Sequence, residues 1–183
     1  MGVAHVFRRE KLVVGVLYSR RSAKSEILRR LGCELGPIES VSAELEFRWS
    51  NYYDSEMGTP IRRFFVSLQD LVSPDSLADI KQHTNRIEAA WASGGKRAVN
   101  LDPGLVGLSR FVLASTKDSP HRVPLKDGIY AEVTLVYERG FRPLEWTYPD
   151  YRSSEYRDII DTIRSNYRAQ IKQQTERSAM DER

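Results

Sequence analysis

The stretch that limits this chain most is Lys11 to Ser19, K-L-V-V-G-V-L-Y-S. It is apolar almost without a break and rich in β-branched residues, yet far below the ~20 apolar residues that a membrane helix needs. That pattern predicts a central strand buried on both faces. Arg8, Arg9 and Lys11 stand before it, but Leu12 to Leu17 is too short for the apolar region of a signal peptide. The run leads into Arg20-Arg21 with no small-residue cleavage site, so it reads as a strand and not a signal.

The elements that follow can be read in order. Ser22 or Ser25 can cap a short helix with Ile27, Leu28 and Leu31 on its inner stripe and Gly32 as its stop, and Gly36-Pro37 breaks the chain. From Val41 to Trp49 the residues alternate, Val41, Ala43, Leu45, Phe47 and Trp49 on one face and Ser42, Glu44, Glu46 and Arg48 on the other, which predicts a strand with one wet face. A third strand lies around Arg63 to Leu68. Ser73-Pro74 opens a helix with Leu77, Ile80, Thr84, Ile87 and Trp91 on one stripe, ending at Ser93-Gly94-Gly95. Arg97 to Leu101 gives a fourth strand, closed by the turn Asp102-Pro103-Gly104.

Strand, helix, strand, strand, helix, strand is the split βαβ order of ferredoxin-like folds. The expected fold is therefore α+β: one domain over residues 1–183, with a ferredoxin-like core at 11–101, an antiparallel β extension at 105–150 and a long C-terminal helix at 153–175. In that helix Tyr156, Ile160, Ile163, Tyr167 and Ile171 share a face, and the tail beyond Thr175 is expected to fray.

The extension holds polar residues where strands are expected. Val112 to Thr116 and Ile129 to Leu135 are β-rich, the second opened by a Lys126-Asp127-Gly128 turn. Ile129, Ala131, Val133 and Leu135 fall on one face of the second strand, and Tyr130, Glu132 and Thr134 on the other. Ser115, Thr116, Lys117, His121 and Arg122 bring hydroxyls and cations beside that polar face, a composition suited to an anionic ligand.

Composition narrows the chemistry. A single cysteine, Cys33, excludes an internal disulfide and multi-cysteine metal sites, which fits a reducing cytoplasm. The three histidines, His5, His83 and His121, have no metal-ligand spacing. A net charge of +3 permits phosphorylated or nucleic-acid partners, and no stretch suits a membrane.

Several motifs also carry a resemblance. Tyr52-Tyr53-x-x-Glu56-Met57-Gly58, Val99-Asn100-Leu101-Asp102-Pro103-Gly104, Leu113-Ala114-Ser115-Thr116-Lys117-Asp118, His121-Arg122, Gly128 to Leu135 and Trp146 to Arg152 together resemble the prokaryotic family called domain of unknown function 4416. The resemblance runs from about Lys11 to about Tyr167 and implies no established activity. Members are often labelled GTP-binding proteins. Residues give that label no support: Gly94-Gly95-Lys96-Arg97 lacks the spacing and hydroxyl of a phosphate loop, and Thr116-Lys117-Asp118 lacks the guanine-reading asparagine.

The site expected from these residues takes a small phosphorylated or carboxylated molecule. Ser115, Thr116, Lys117, Arg122 and Tyr130 would bind it, and His121 and Glu132 would move protons if it is turned over. Asp102, Glu132 and Glu56 would hold magnesium beside a charged ligand. Against this stand plainer roles: Asp102 as cap of the turn before Pro103, Glu132 as the cross-strand partner of Lys117, and Tyr148 and Tyr151 as packing rather than the walls of a pocket for a flat ligand. Two other functions fit the fold. An RNA-recognition motif stacks bases on its first and third strands, but Val13 and Arg63 occupy two of the three stacking positions and leave Phe65, so nucleic-acid binding would be weak and salt-dependent. A non-catalytic protein partner could instead use the C-terminal helix.

Overall fold

The computed structural model describes residues 2–19, 22–92 and 94–181. Arg20, Arg21, the Ser93 of the expected helix stop and the last two residues of the tail lie outside these. Strand β1 (Glu10–Ser19) is buried along its whole length, as its composition requires. Leu12, Val14, Val16 and Tyr18 enter one apolar cluster, while Val13 enters a second on the opposite face. Each aliphatic side chain taken out of water in this way contributes about 1.5 to 3 kcal/mol.

Helix α1 (Lys24–Leu35) begins after Ala23 with no side-chain cap, so neither Ser22 nor Ser25 fills that role. It runs through Gly32, because one glycine costs only ~1 kcal/mol and the helix gains the burial of Ile27 and Leu31. It stops at Gly36, whose φ of 105° suits a residue without a Cβ, and Pro37 follows.

The strand expected from Val41 to Trp49 is broken into β2 (Ile38–Val41) and β3 (Leu45–Glu46). Ser42 is the cause. Its N–H donates to Phe65 O at 2.9 Å and its Oγ accepts from the Phe65 N–H at 2.9 Å, so a side chain substitutes for the backbone ladder. Val41 and Trp49, expected to point inward, are exposed. A short helical turn α2 (Asp54–Met57) leads into β4 (Ile61–Val72).

Ser73-Pro74 does open helical structure, first as a 3-10 turn at Pro74–Ser76 and then as α3 (Leu77–Ala90). Next comes β5 (Val99–Val106), which passes straight through the Asp102-Pro103-Gly104 segment expected to end it. Pairing of Gly15 with Asp102, Val14 with Pro103 and Val13 with Gly104 holds that segment extended against β1. Tertiary pairing has overridden local turn propensity.

The remaining strands are β6 (Arg110–Ser115), β7 (Val123–Lys126), β8 (Ile129–Tyr137) and β9 (Phe141–Pro143). Asp127 and Gly128 connect β7 to β8 with φ of 53° and 74°, the positive values that a two-residue hairpin turn needs. The even alternation expected along β8 is interrupted. A register shift between Phe111 and Val112 opposes this strand, so Ile129 joins the first cluster while Leu135 joins the second.

Among the described residues nine strands form one antiparallel sheet in the order β2-β4-β1-β5-β6-β8-β7, with β3 on β4 and β9 on β8. Helices α1 and α3 bury Ile27, Leu31, Leu77, Ala78 and Ile87 against one face. Helix α4 (Ser154–Asp181) buries Tyr156, Ile160 and Ile163 against the other and continues beyond the expected end at residue 175. Among the described residues no helix is long and apolar enough to cross a membrane.

Gly104 sets how closely β5 approaches β6. A Cβ there would lie 2.6 Å from Val112 O and 2.8 Å from the Phe111 ring, and a backbone carbonyl cannot step aside as a flexible side chain can. Gly104→Ala is therefore expected to destabilise the fold by about 1 to 3 kcal/mol, the usual penalty of overpacking. Urea unfolding should show a lower midpoint at unchanged slope; an unchanged midpoint would mean that the two strands part freely.

Candidate functional site

Strands β5 and β6 pair only through Gly104 with Leu113, Leu105 with Val112 and Val106 with Phe111. Beyond that point they diverge. Val99 to Pro103 stay on β1, while Ala114 and Ser115 follow β8 through Ala131 and Tyr130. The gap is a cavity of about 260 Å³ that admits side chains from both faces of the sheet.

Its deepest wall is built on Arg63. This residue alternates with Phe65 on β4, and the pairing of Gly15 with Phe65 and of Leu17 with Arg63 directs it to the α4 face. The residue is 2% exposed. Its Nη1 donates to Asp102 Oδ2 at 3.0 Å and its Nη2 to Asp150 Oδ2 at 3.3 Å. Phe47, Phe65, Tyr151 and Tyr156 place ring centroids 5.7 to 5.9 Å from the guanidinium carbon, near enough for cation–π attraction. Gly15 makes the room, since a Cβ there would lie 2.7 Å from Arg63 Nη1 and 3.0 Å from the Tyr151 hydroxyl.

The two carboxylates that share Arg63 are driven apart. Burial pushes Asp102 up, but the charges of Arg63 and Lys81 and bonds from Arg63 and Asn100 outweigh it and hold this carboxyl below its usual range. For Asp150 burial wins over Arg63, and the nearby Asp102 charge adds to it, so this carboxyl is raised. Asp102 is thus not a turn cap. It stands mid-strand as an ion-pair partner.

A second set of charges enters from α3 and the approach to β5. Lys81 Nζ donates to Leu101 O at 2.8 Å and lies 3.8 Å from Glu88, which accepts from the Leu101 N–H at 2.8 Å. Burial raises the Glu88 carboxyl against the pull of Lys81. Arg97 forks onto Glu56 at 2.7 and 2.9 Å and reaches Asn100 Oδ1 at 3.1 Å, and Asn100 in turn donates to Asp102 at 2.9 Å. A chain of hydrogen bonds therefore joins Glu56, outside the cavity, to Arg63 at its base.

On the β6–β8 side Glu132 is 1% exposed, and its partner is not Lys117. Arg122 Nε donates to Glu132 Oε2 at 2.8 Å, and His121 Nε2 lies 3.2 Å from the same oxygen. Arg122 also donates to Lys117 O at 2.8 Å and to the Tyr148 hydroxyl, bracing the turn between β6 and β7. The His121 ring stacks on Trp146 at 5.3 Å, with Nδ1 3.0 Å from Ser119 Oγ. Lys117 is exposed, and its ammonium sits 4.6 Å from the centre of the Tyr52 ring.

Of the residues expected to form a site, Asp102, Ser115, Thr116, Lys117 and Glu132 do line one cavity. Glu56, His121, Arg122 and Tyr130 stand outside its lining. Among the described residues no three of His, Cys, Asp and Glu are grouped as a metal ion would need. Asp102, Glu132 and Glu56, expected as its ligands, are each paired with an arginine instead. Sequence reasoning missed Arg63, Lys81, Glu88, Arg97, Asn100 and Asp150. Arg63 had left a signal: it alternates with Phe65 on a β-rich run, a charge on a core-facing position. Tyr148 lines the cavity as a wall would, and Tyr151 both lines it and packs in the second cluster. The face that an RNA-recognition motif would present is covered, with Val13 at 0% and Phe65 at 1% exposure beneath α4 and Tyr151.

No curated protein and no solved structure matches this chain. A family model does, over residues 8–167, which takes in every strand and both walls of the cavity. The chain belongs to the family described as domain of unknown function DUF4416.

Proposed function

We propose that the chain is a single-domain binding protein for a small phosphorylated or carboxylated molecule held in the cavity between β5 and β6. The observation that carries this is Lys117. It stands at the rim beside Ser115 and Thr116, and no carboxylate of the described residues pairs with it. Arg63, Lys81, Arg97 and Arg122, in contrast, all have acidic partners. A cation left for a ligand, over a cavity walled by Phe47, Trp49, Tyr52 and Tyr148, suits an anion attached to an apolar or flat body. Magnesium would enter with a phosphorylated ligand. Proton transfer by His121 and Glu132 is not part of this reading, since both imidazole nitrogens are engaged within the protein.

The core supports a ferredoxin-like reading of the fold. Its elements β1-α1-β2-β4-α3-β5 form the antiparallel order β2-β4-β1-β5, the split βαβ arrangement, with β6 to β9 as the extension. In this reading the cavity lies where core and extension part. A cytoplasmic location belongs to the same proposal and rests on the lone cysteine.

The test is a thermal screen of phosphates, nucleotides and carboxylates with and without magnesium. A ligand of the folded state at a hundredfold excess over Kd adds about 2.7 kcal/mol, and each kcal/mol moves the melting temperature of a chain this size by roughly 2 to 4 °C. Lys117→Ala is expected to remove most of that shift and to leave the unliganded melting temperature within about 1 °C, since the side chain is exposed. Arg122 does not serve as such a probe. Its guanidinium is largely buried on Glu132, and removing it would disturb the fold. A flat screen would move the reading to a protein partner.

A further inference from the structure

Resting on the binding reading above, the charges inside the cavity specify more of the ligand. We propose that the ligand is a small zwitterion, bound end-on with its acidic group at Lys117, Ser115 and Thr116 and an ammonium group at Asp102 and Tyr151.

The base of the cavity holds more acidic groups than cations, with Arg63 Nε itself left without a partner. Arg63 has one positive charge and faces two carboxylates, Asp102 at 3.0 Å and Asp150 at 3.3 Å. Lys81 also acts on Asp102, but Glu88 stands 3.8 Å from its ammonium and offsets part of that charge. Asp102 keeps a quarter of its side chain exposed, and among the residues of this wall it is the carboxylate that a bound molecule can reach; Asp150 keeps 9%. Tyr151 gives an independent indication. It lines the cavity at 2% exposure, and its hydroxyl has no hydrogen-bond partner. Buried polar atoms are nearly always partnered, and this hydroxyl, set near Arg63 across Gly15, keeps lone pairs that can accept from an ammonium.

The mouth has the opposite character. Lys117 has no acidic partner among the described residues, and Thr116 stands beside it. A simple anion would satisfy the mouth and leave the base unmatched. A simple amine would do the reverse. A molecule bearing both charges matches both ends and is fixed in one direction.

The test compares two probes by calorimetry on the intact chain: O-phosphoethanolamine and ethylene glycol monophosphate, which differ in having an ammonium or a hydroxyl at the carbon remote from the phosphate. O-Phosphoethanolamine is expected to bind at least about tenfold more tightly. Tyr151→Phe keeps the ring and removes the unpartnered hydroxyl, so it should weaken O-phosphoethanolamine more than ethylene glycol monophosphate. Asp102→Asn should erase the difference between the probes; if that variant does not fold, Tyr151→Phe alone decides. Equal affinity of the two probes for the wild-type protein overturns the zwitterion assignment while leaving anion binding intact. Binding of neither probe also overturns it, and the wider reading falls with it if the thermal screen is flat as well.

Discussion

Arg63→Met is expected to destabilise the protein by about 3 to 5 kcal/mol and to lower its melting temperature by roughly 6 to 20 °C. Methionine fills much of the space that arginine leaves between Phe47, Phe65, Tyr151 and Tyr156, so the loss is chiefly electrostatic. Asp150 would remain buried and Asp102 half-buried around an uncharged side chain, each without the guanidinium that now holds it. Removing one member of a buried ion pair is costly because the other cannot return to water. Arg63→Lys should fall in between, since it restores the charge without the fork that reaches both carboxylates.

The pH dependence separates charge from packing. In the wild-type protein the Asp102 carboxyl is held below its usual range, so its contribution is complete above its unfolded value and is lost as pH falls through the folded one. Asp150 is raised, so it favours folding only at low pH, and that contribution disappears as pH rises through its folded value. Without Arg63, burial would raise Asp150 further and would act on Asp102 against only Lys81 and Asn100, so both carboxyls would move up. Stability lost at pH 7 should then return as they protonate, so the gap between variant and wild type is expected to narrow towards pH ~4. Chemical denaturation at the two pH values decides it. A gap of the same size at both would assign the loss to the aromatic rings around the guanidinium rather than to the carboxylates.

What could be read from the sequence, and what could not, divides by the range of the interactions. The apolar run of β1, the helical start at Ser73-Pro74 and the Asp127-Gly128 turn are local patterns, and each appears in the fold. Asp102-Pro103-Gly104 looked equally like a turn, but pairing with β1 keeps it extended. Val41 to Trp49 alternated cleanly and still broke, because the Ser42 hydroxyl takes the place of a ladder bond with Phe65. Five of the nine expected site residues line the cavity, and four of them, Ser115, Thr116, Lys117 and Glu132, lie on the paired strands β6 and β8 or just after β6. Arg63, Asp102 and Asp150 meet only because three distant segments converge on the space above Gly15, and no local spacing foretells that.

Glu132 shows how this cavity depends on residues that would not touch a ligand directly at its rim. Glu132→Ala is expected to cost about 3 kcal/mol, at the low end for a buried pair, and to lower the melting temperature by roughly 6 to 12 °C. The carboxylate accepts from Arg122, His121 and Thr134, so its removal strands an arginine side chain that is only 5% exposed. Arg122 would keep Lys117 O and the Tyr148 hydroxyl, which is why the loss stays below that expected at Arg63. The turn from Lys117 to Arg122 would loosen, and with it the position of the Lys117 ammonium. Glu132→Gln preserves acceptor and shape while removing the charge, and about half of the loss should remain. Hydrogen exchange provides the local readout: the Arg122 amide, bonded to Ser119 O at 2.9 Å, should exchange faster in Glu132→Ala but not in Lys117→Ala. If Glu132→Ala melts like the wild type with that amide still protected, Glu132 is not what holds the β6–β7 turn, and the basic rim of the cavity is positioned by Arg122 and Tyr148 alone.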